Sequence, residues 1–183
     1  MCRLLSRDPA KNKSSRRPPI RRATLACEHH ILNTIIGVPH PYTTEFARMW
    51  ILSHATAWED RRSLRWAALK IGDDRIVGYA GPDRIDVERR QAELRFWVGC
   101  RVNRNSDPAE WCAAIVELAL IGLNLNRLYA LQLERHPLAG CVLATIGMHR
   151  ERLVRKRIFK GGLVEDVVCW ATLKNDWQQR SES

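Results

Sequence analysis

Residues 92–99 read Ala92-Glu93-Leu94-Arg95-Phe96-Trp97-Val98-Gly99. Apolar and polar side chains alternate and the run stops at a glycine, the pattern of a strand with one buried face. Downstream, Asp107-Pro108-Ala109-Glu110 marks a helix start: a side-chain cap, a proline at the first helical position and a glutamate at the third. A strand feeding a loop that opens a helix binds phosphates well, because free N–H groups and the helix dipole face the ligand together. The pattern points to a nucleotide-type cofactor and leaves open which one.

Upstream, Ile20 to Leu25 reads as a short first strand and Cys27 to Ile36 as a turn or two of helix. Pro39-His40-Pro41-Tyr42 is a rigid loop, since each proline fixes φ and pushes its predecessor to extended backbone. Thr43 or Thr44 then caps a helix through about Trp58, with Phe46, Met49 and Trp50 near one face. Leu64–Ile71 and Arg75–Ala80 read as a hairpin around Gly72-Asp73-Asp74, and Gly81-Pro82-Asp83 as the next turn. The strand containing residues 92–98 begins near Arg90. After the helix from Asp107 to about Gly122 come a strand over Arg127–Leu133, a helix from Pro137 stopping at Gly147, and two strands, Arg152–Phe159 and Glu165–Leu173, around Lys160-Gly161-Gly162. The order implies an α/β (α+β) mixed sheet of six or seven strands flanked by helices.

A chain of 183 residues with 45% apolar and 27% charged residues has the composition of one globular domain. It has no apolar run of about 18 residues, so no membrane-spanning helix is expected. No secretory signal is evident, and the six scattered cysteines form no C-x-x-C pair, which together read as reduced thiols in a cytoplasmic protein. The formal charge of +10 is concentrated at one end: residues 1–22 hold eight basic residues against Asp8, leaving about +3 for the remainder. Residues 1–18 are therefore expected to be a disordered basic tail, 19–177 a single domain and 178–183 a disordered end. A tail contact with RNA is the functional alternative, weakened by the absence of any aromatic residue to stack on a base.

Several motifs together are similar to one family. Pro41-Tyr42-Thr43 with Ala47 and Trp50-Ile51 resembles the "PYT…DA…WI" helix start of GNAT acetyltransferases, in their ribosomal-protein N-acetyltransferase (RimJ/RimL-like) branch. Residues 92–99 resemble its "AELGYWIG" strand and Leu123–Ala130 its "LGLNRIEA" segment. His136-Pro137-Leu138-Ala139 with Val142, Leu143 and Ile146-Gly147-Met148 follows "NPAS..VLEKLGF", and Lys160-Gly161 with Asp166-Val167-Val168 follows "K.G...DVV". The likeness runs over roughly residues 20–177, with the motifs in order.

The resemblance implies a GNAT acyl-CoA N-acyltransferase fold, splayed between the fourth and fifth strands, and an enzyme moving an acetyl group from acetyl-CoA to an amine of a protein N-terminus or small molecule. No metal is implied. Glu93, on the face opposite Leu94 and Phe96, is the candidate catalytic base, acting through a water; the alternative is a strand carboxylate paired with Arg95 or a neighbouring arginine. Backbone N–H groups near Val98 and Gly99 would stabilise charge on the thioester oxygen. The cofactor set is Trp97, Val98, Gly99, Arg104, Asn105, Ser106, Asp107, Pro108, Ala109, His136 and Leu143; His40 and Tyr42 lie on the substrate side. The chain departs from the family where Arg104 and Ser106 replace two loop glycines that let a phosphate approach the backbone. Leu143 also stands where many members carry a general-acid tyrosine. The altered loop keeps open a catalytically impaired binding protein of the same fold. A monomer or homodimer is expected.

Overall fold

The computed structural model describes residues 2–6, 35–38, 43–70, 76–99 and 107–181. Its elements in chain order are β1 (Cys2–Ser6), α1 (Thr44–Glu59), β2 (Trp66–Lys70), β3 (Ile76–Asp86), β4 (Gln91–Val98), α2 (Pro108–Glu117) continued by a π-helical turn (Leu118–Gly122), β5 (Arg127–Leu133), α3 (Pro137–Thr145), β6 (His149–Lys160), β7 (Leu163–Leu173) and α4 (Lys174–Ser181). The strands form one mixed sheet of order β1-β2-β3-β4-β5-β7-β6. Every neighbouring pair is antiparallel except β4 and β5, which run parallel.

Helix starts follow their cap chemistry. Thr43 Oγ1 accepts from Phe46 N at 3.1 Å to open α1, and Asp107 Oδ1 accepts from Ala109 N at 2.8 Å to open α2. The main core lies on one face of the sheet. There Trp111, Cys112, Ile115, Val116 and Leu120 pack on Ala92, Leu94, Leu128 and Ala130, joined by Leu143 and Ile146. Each fully buried large side chain contributes about 1.5–3 kcal/mol by removal from water. A small second cluster of Tyr79 and Trp97, covered by Ile35 and Trp50, occupies the opposite face.

Three sequence expectations change. Cys2–Ser6, expected within a disordered tail, forms a strand on the edge of β2. This five-residue run carries one charge, and main-chain pairing with β2 orders it. Gly81-Pro82-Asp83 is not a turn, because β3 continues to Asp86. Leu64 N donates to Pro82 O at 2.9 Å, and a Cβ on Gly81 would stand 1.9 Å from Leu64 O, so a crossing chain needs the glycine there. The turn falls instead after Asp86, whose carboxylate accepts from Arg89 N at 2.9 Å. The C-terminal end is helical to Ser181, anchored by Trp177 against the main core and by Arg180 donating to Thr145 O. The expected strand at 20–25, residues 27–34 of the expected helix and the turn at 72–74 lie outside the described residues.

Candidate active site

β4 pairs along its whole length with β3, from Glu93 opposite Asp83 to Val98 opposite Gly78. With β5 it pairs only over Gln91–Arg127, Ala92–Leu128 and Glu93–Tyr129. Beyond that last pair the strands part, while β5 stays joined to β7 as far as Leu133–Val167. The gap therefore opens on the β4 side. Gly99 N donates to Val77 O of β3 at 2.7 Å. Ladder alternation then turns the N–H groups of Phe96 and Val98 to the other edge, into the gap. Of the two amides expected to face a thioester, that of Val98 points there and that of Gly99 does not.

α2 begins over this end of β4. Trp111, one turn into the helix, lies against Gly78, where an added Cβ would be 3.1 Å from the indole ring. Asp107, Pro108 and Ala109 open this helix, and its first helical amide, Ala109 N, is already held by the Asp107 carboxylate. Trp97 turns its side chain to the second cluster with Tyr79. Leu143 is 1% exposed and belongs to the main core, on the buried face of α3. His136 precedes α3, and its carbonyl accepts from Gln132 Nε2 at 2.9 Å. It lies beside an open groove of about 350 Å³ between α3, β5 and β7. His40, Tyr42, Arg104, Asn105 and Ser106 lie outside the described residues.

On the face carrying Trp97, the sheet holds a charged network. Glu93 is 2% exposed. Its Oε1 accepts from Arg95 Nε at 3.0 Å, and its Oε2 is 3.3 Å from Arg84 Nη1. Arg95 Nε also lies 3.2 Å from Asp83 Oδ2, and Asp83 Oδ1 accepts from Arg65 Nη2 at 2.9 Å. Burial works to raise the Asp83 pKa, but Arg65, the Ser63 hydroxyl and Arg95 outweigh it and hold the carboxyl below its ordinary value. Arg65 Nη1 donates to His54 Nε2 at 3.1 Å, which places the His54 proton on Nδ1, facing Trp50 O. Tyr129 stands beside Glu93 from β5; burial and the Glu93 carboxylate push its pKa up, against the opposing influence of Arg84 and Arg95. Lys160, 9% exposed at the tip of the β6–β7 hairpin, donates to Val38 O at 3.1 Å and ties the hairpin to the segment over Tyr79 and Trp97.

Glu93 was legible as a charged strand residue, and its pairing with Arg95 was the alternative the sequence offered. Arg84 was foreseen only as an unnamed arginine of a neighbouring strand, and Tyr129 not at all. Tyr129 meets Glu93 only through the parallel register, and Arg84 reaches it only through a local irregularity of β3.

A mixed sheet whose two parallel neighbours, β4 and β5, part beyond a short shared ladder is the GNAT acyltransferase architecture. Residues 17–149 match the acetyltransferase (GNAT) domain, and the chain belongs to that family. It is similar to YoaA of Bacillus subtilis (strain 168), described as an uncharacterized N-acetyltransferase: 20% identical over 138 residues, 75% of this chain and 78% of that one. In fold it resembles the ribosomal-protein-S5-alanine acetyltransferase of Vibrio fischeri, with TM-score 0.77 and 16% identity over 96% of this chain and 93% of that one. It also resembles the Vibrio cholerae spermidine N-acetyltransferase in complex with CoA and spermine, with TM-score 0.76 and 15% identity over 97% of each chain.

Proposed function

We propose that the protein uses acetyl-CoA to acetylate an amine, with the thioester arm lying in the gap between β4 and β5. The separation of these strands beyond Glu93 and Tyr129, with the Phe96 and Val98 amides turned into the opening, carries this reading. An extended arm with its own amide groups fits such an edge as a short extra strand would. Acetyl-CoA, when bound, supplies an acyl carbon whose bond to sulfur breaks as the bond to the amine nitrogen forms, the electron pair leaving on the thiolate.

The chain's own residues then have limited tasks. In this reading the Val98 N–H donates to the thioester oxygen as it gains negative charge, an interaction worth about 3–4 kcal/mol where such donors have been removed. Glu93 lies on the opposite face of β4 from the core, where it accepts the amine proton through a water. A free α-amine (pKa near 8) loses that proton more readily than a lysine (near 10.4), so it asks less of the base. The acceptors named for the two solved neighbours, a ribosomal protein and spermidine, both offer amines, which supports the reaction type. Among the described residues no helix is long and apolar enough to cross a membrane, and Cys112, Cys141 and Cys169 are free thiols, consistent with a cytoplasmic enzyme.

Titrating acetyl-CoA into the purified protein tests the reading. A ligand that binds only the folded chain raises the melting temperature by mass action, and thiol release on adding amines reports transfer. No melting shift at millimolar acetyl-CoA overturns the proposal. A shift without thiol release over a broad amine panel replaces it with a binding protein of the same fold.

A further inference from the structure

The inference concerns the acceptor and rests on the acetyl-transfer reading. Strict alternation along β3 would send Arg84 to the face opposite Asp83, into the main core. A bulge prevents this: Arg84 and Ile85 together oppose the single residue Ala92, and Arg84 adopts φ +51°. A bulge of this kind re-aims a side chain, and its left-handed position normally favours glycine. The outcome is a guanidinium turned back to the face of Glu93 and Tyr129, at the point where β4 and β5 part.

That guanidinium is loosely held and surplus to the local charge balance. Its side chain is 64% exposed. It faces Glu93 Oε2 at 3.3 Å, yet this buried oxygen has no aligned hydrogen bond. Arg65 and Arg95 already serve the two carboxylates of the cluster, Asp83 and Glu93. Among the described residues of the cluster Arg84 is the third cation against two anions, and the most exposed of the three. A polyamine brought here would place a second ammonium against a guanidinium and find both carboxylates already paired. An acceptor with its own carboxylate would instead take the Arg84 guanidinium from Glu93, in a charge-assisted pair, and leave Oε2 open toward the amine.

We propose that Arg84 anchors a carboxylate on the acceptor, so that the preferred substrate is an amine with a carboxylate a few bonds away, such as an amino-terminal residue followed by aspartate, and not a polycation. The probes are alanyl-aspartate amide, its uncharged match alanyl-asparagine amide, and spermidine. Binding of each is measured by calorimetry to the full chain and to Arg84→Gln and Arg84→Gly, the second suited to the left-handed backbone. The acidic dipeptide is expected to bind at least tenfold more tightly than its match, and both variants to bring that ratio near one. Equal binding of the dipeptides, tighter binding of spermidine, no dipeptide binding, or a preference surviving in both variants overturns the proposal. Acetyl-CoA binding is followed separately by thermal shift, so its loss strikes the acetyl-transfer reading while the dipeptide ratio still decides the role of Arg84.

Discussion

Tyr129 on β5 stands directly opposite Glu93 on β4, and theirs is the last pair before the two strands separate. The pair fixes where the sheet stops being a continuous ladder. Behind it the strands are joined; ahead of it, among the described residues, no strand pairs with the edge of β4 that carries the Phe96 and Val98 amides. A carboxylate and a phenol are thus held at the apex of the gap by backbone pairing, so their positions do not depend on the loop that follows β4.

Glu93→Gln keeps the shape of the side chain and removes its capacity to take a proton. Turnover at neutral pH is expected to fall about 100-fold, the lower range for loss of a positioned base. Acetyl-CoA affinity should stay within twofold, because the gap amides are untouched. Steady-state kinetics with a calorimetric affinity for acetyl-CoA separates the two effects. Full activity in this variant would assign Glu93 to the ion-pair network alone.

Asp107 both caps α2 and occupies the amide a phosphate would use. Asp107→Gly removes the competing carboxylate at a helix cost of a few tenths of a kcal/mol, whereas Asp107→Ala costs about 1 kcal/mol. Affinity for CoA is expected to rise several-fold in the glycine variant. Unchanged or weaker affinity would show that the pyrophosphate does not approach this helix end.

The sheet was legible because period-two alternation, helix caps and turn residues all act locally. Arg127–Leu133 and the helix start at Asp107-Pro108 fall where the sequence placed them. Expectations failed where a distant partner overrode a local signal. Gly81-Pro82 has turn composition, but the chain near Leu64 crosses there and needs a residue without Cβ. Cys2–Ser6 has too little apolar surface to order itself, and the exposed edge of β2 orders it. The site followed the same division. The face on which Glu93 stands follows from the alternation of one strand, while that of Arg84 depends on a one-residue bulge that reverses the alternation.

Asp83 links acid stability to the network. Its folded-state pKa lies below the ordinary carboxylate value, with burial opposed by Arg65, Ser63 and Arg95. A carboxyl with a depressed folded pKa contributes stability above about pH 4, and that contribution is lost as pH falls through the folded value. Asp83→Asn leaves Arg65 and Arg95 short of a buried partner and is expected to cost about 3–5 kcal/mol at neutral pH. The difference in melting temperature between wild type and variant should shrink as the solution is acidified below pH 4. A difference that stays constant from pH 7 to pH 3 would place the origin of Asp83's contribution outside its charge.

Gly81 offers a test of the fold with little bearing on chemistry. It lies in β3 opposite Arg95, and its φ is ordinary for a strand, so backbone freedom is not why glycine stands there. The reason is space: a methyl group would sit 1.9 Å from Leu64 O and 2.8 Å from the Arg65 Cα. Both are backbone atoms, which move only if the segment before β2 lifts off the sheet. That segment carries Arg65, so Gly81→Ala should also displace its bond to Asp83. Overpacking of this kind costs about 1–3 kcal/mol, and here the upper end is expected because no side chain can rotate away. Denaturant unfolding of Gly81→Ala measures the loss. A cost below about 0.5 kcal/mol would mean that residues 63–65 do not press on β3 in solution.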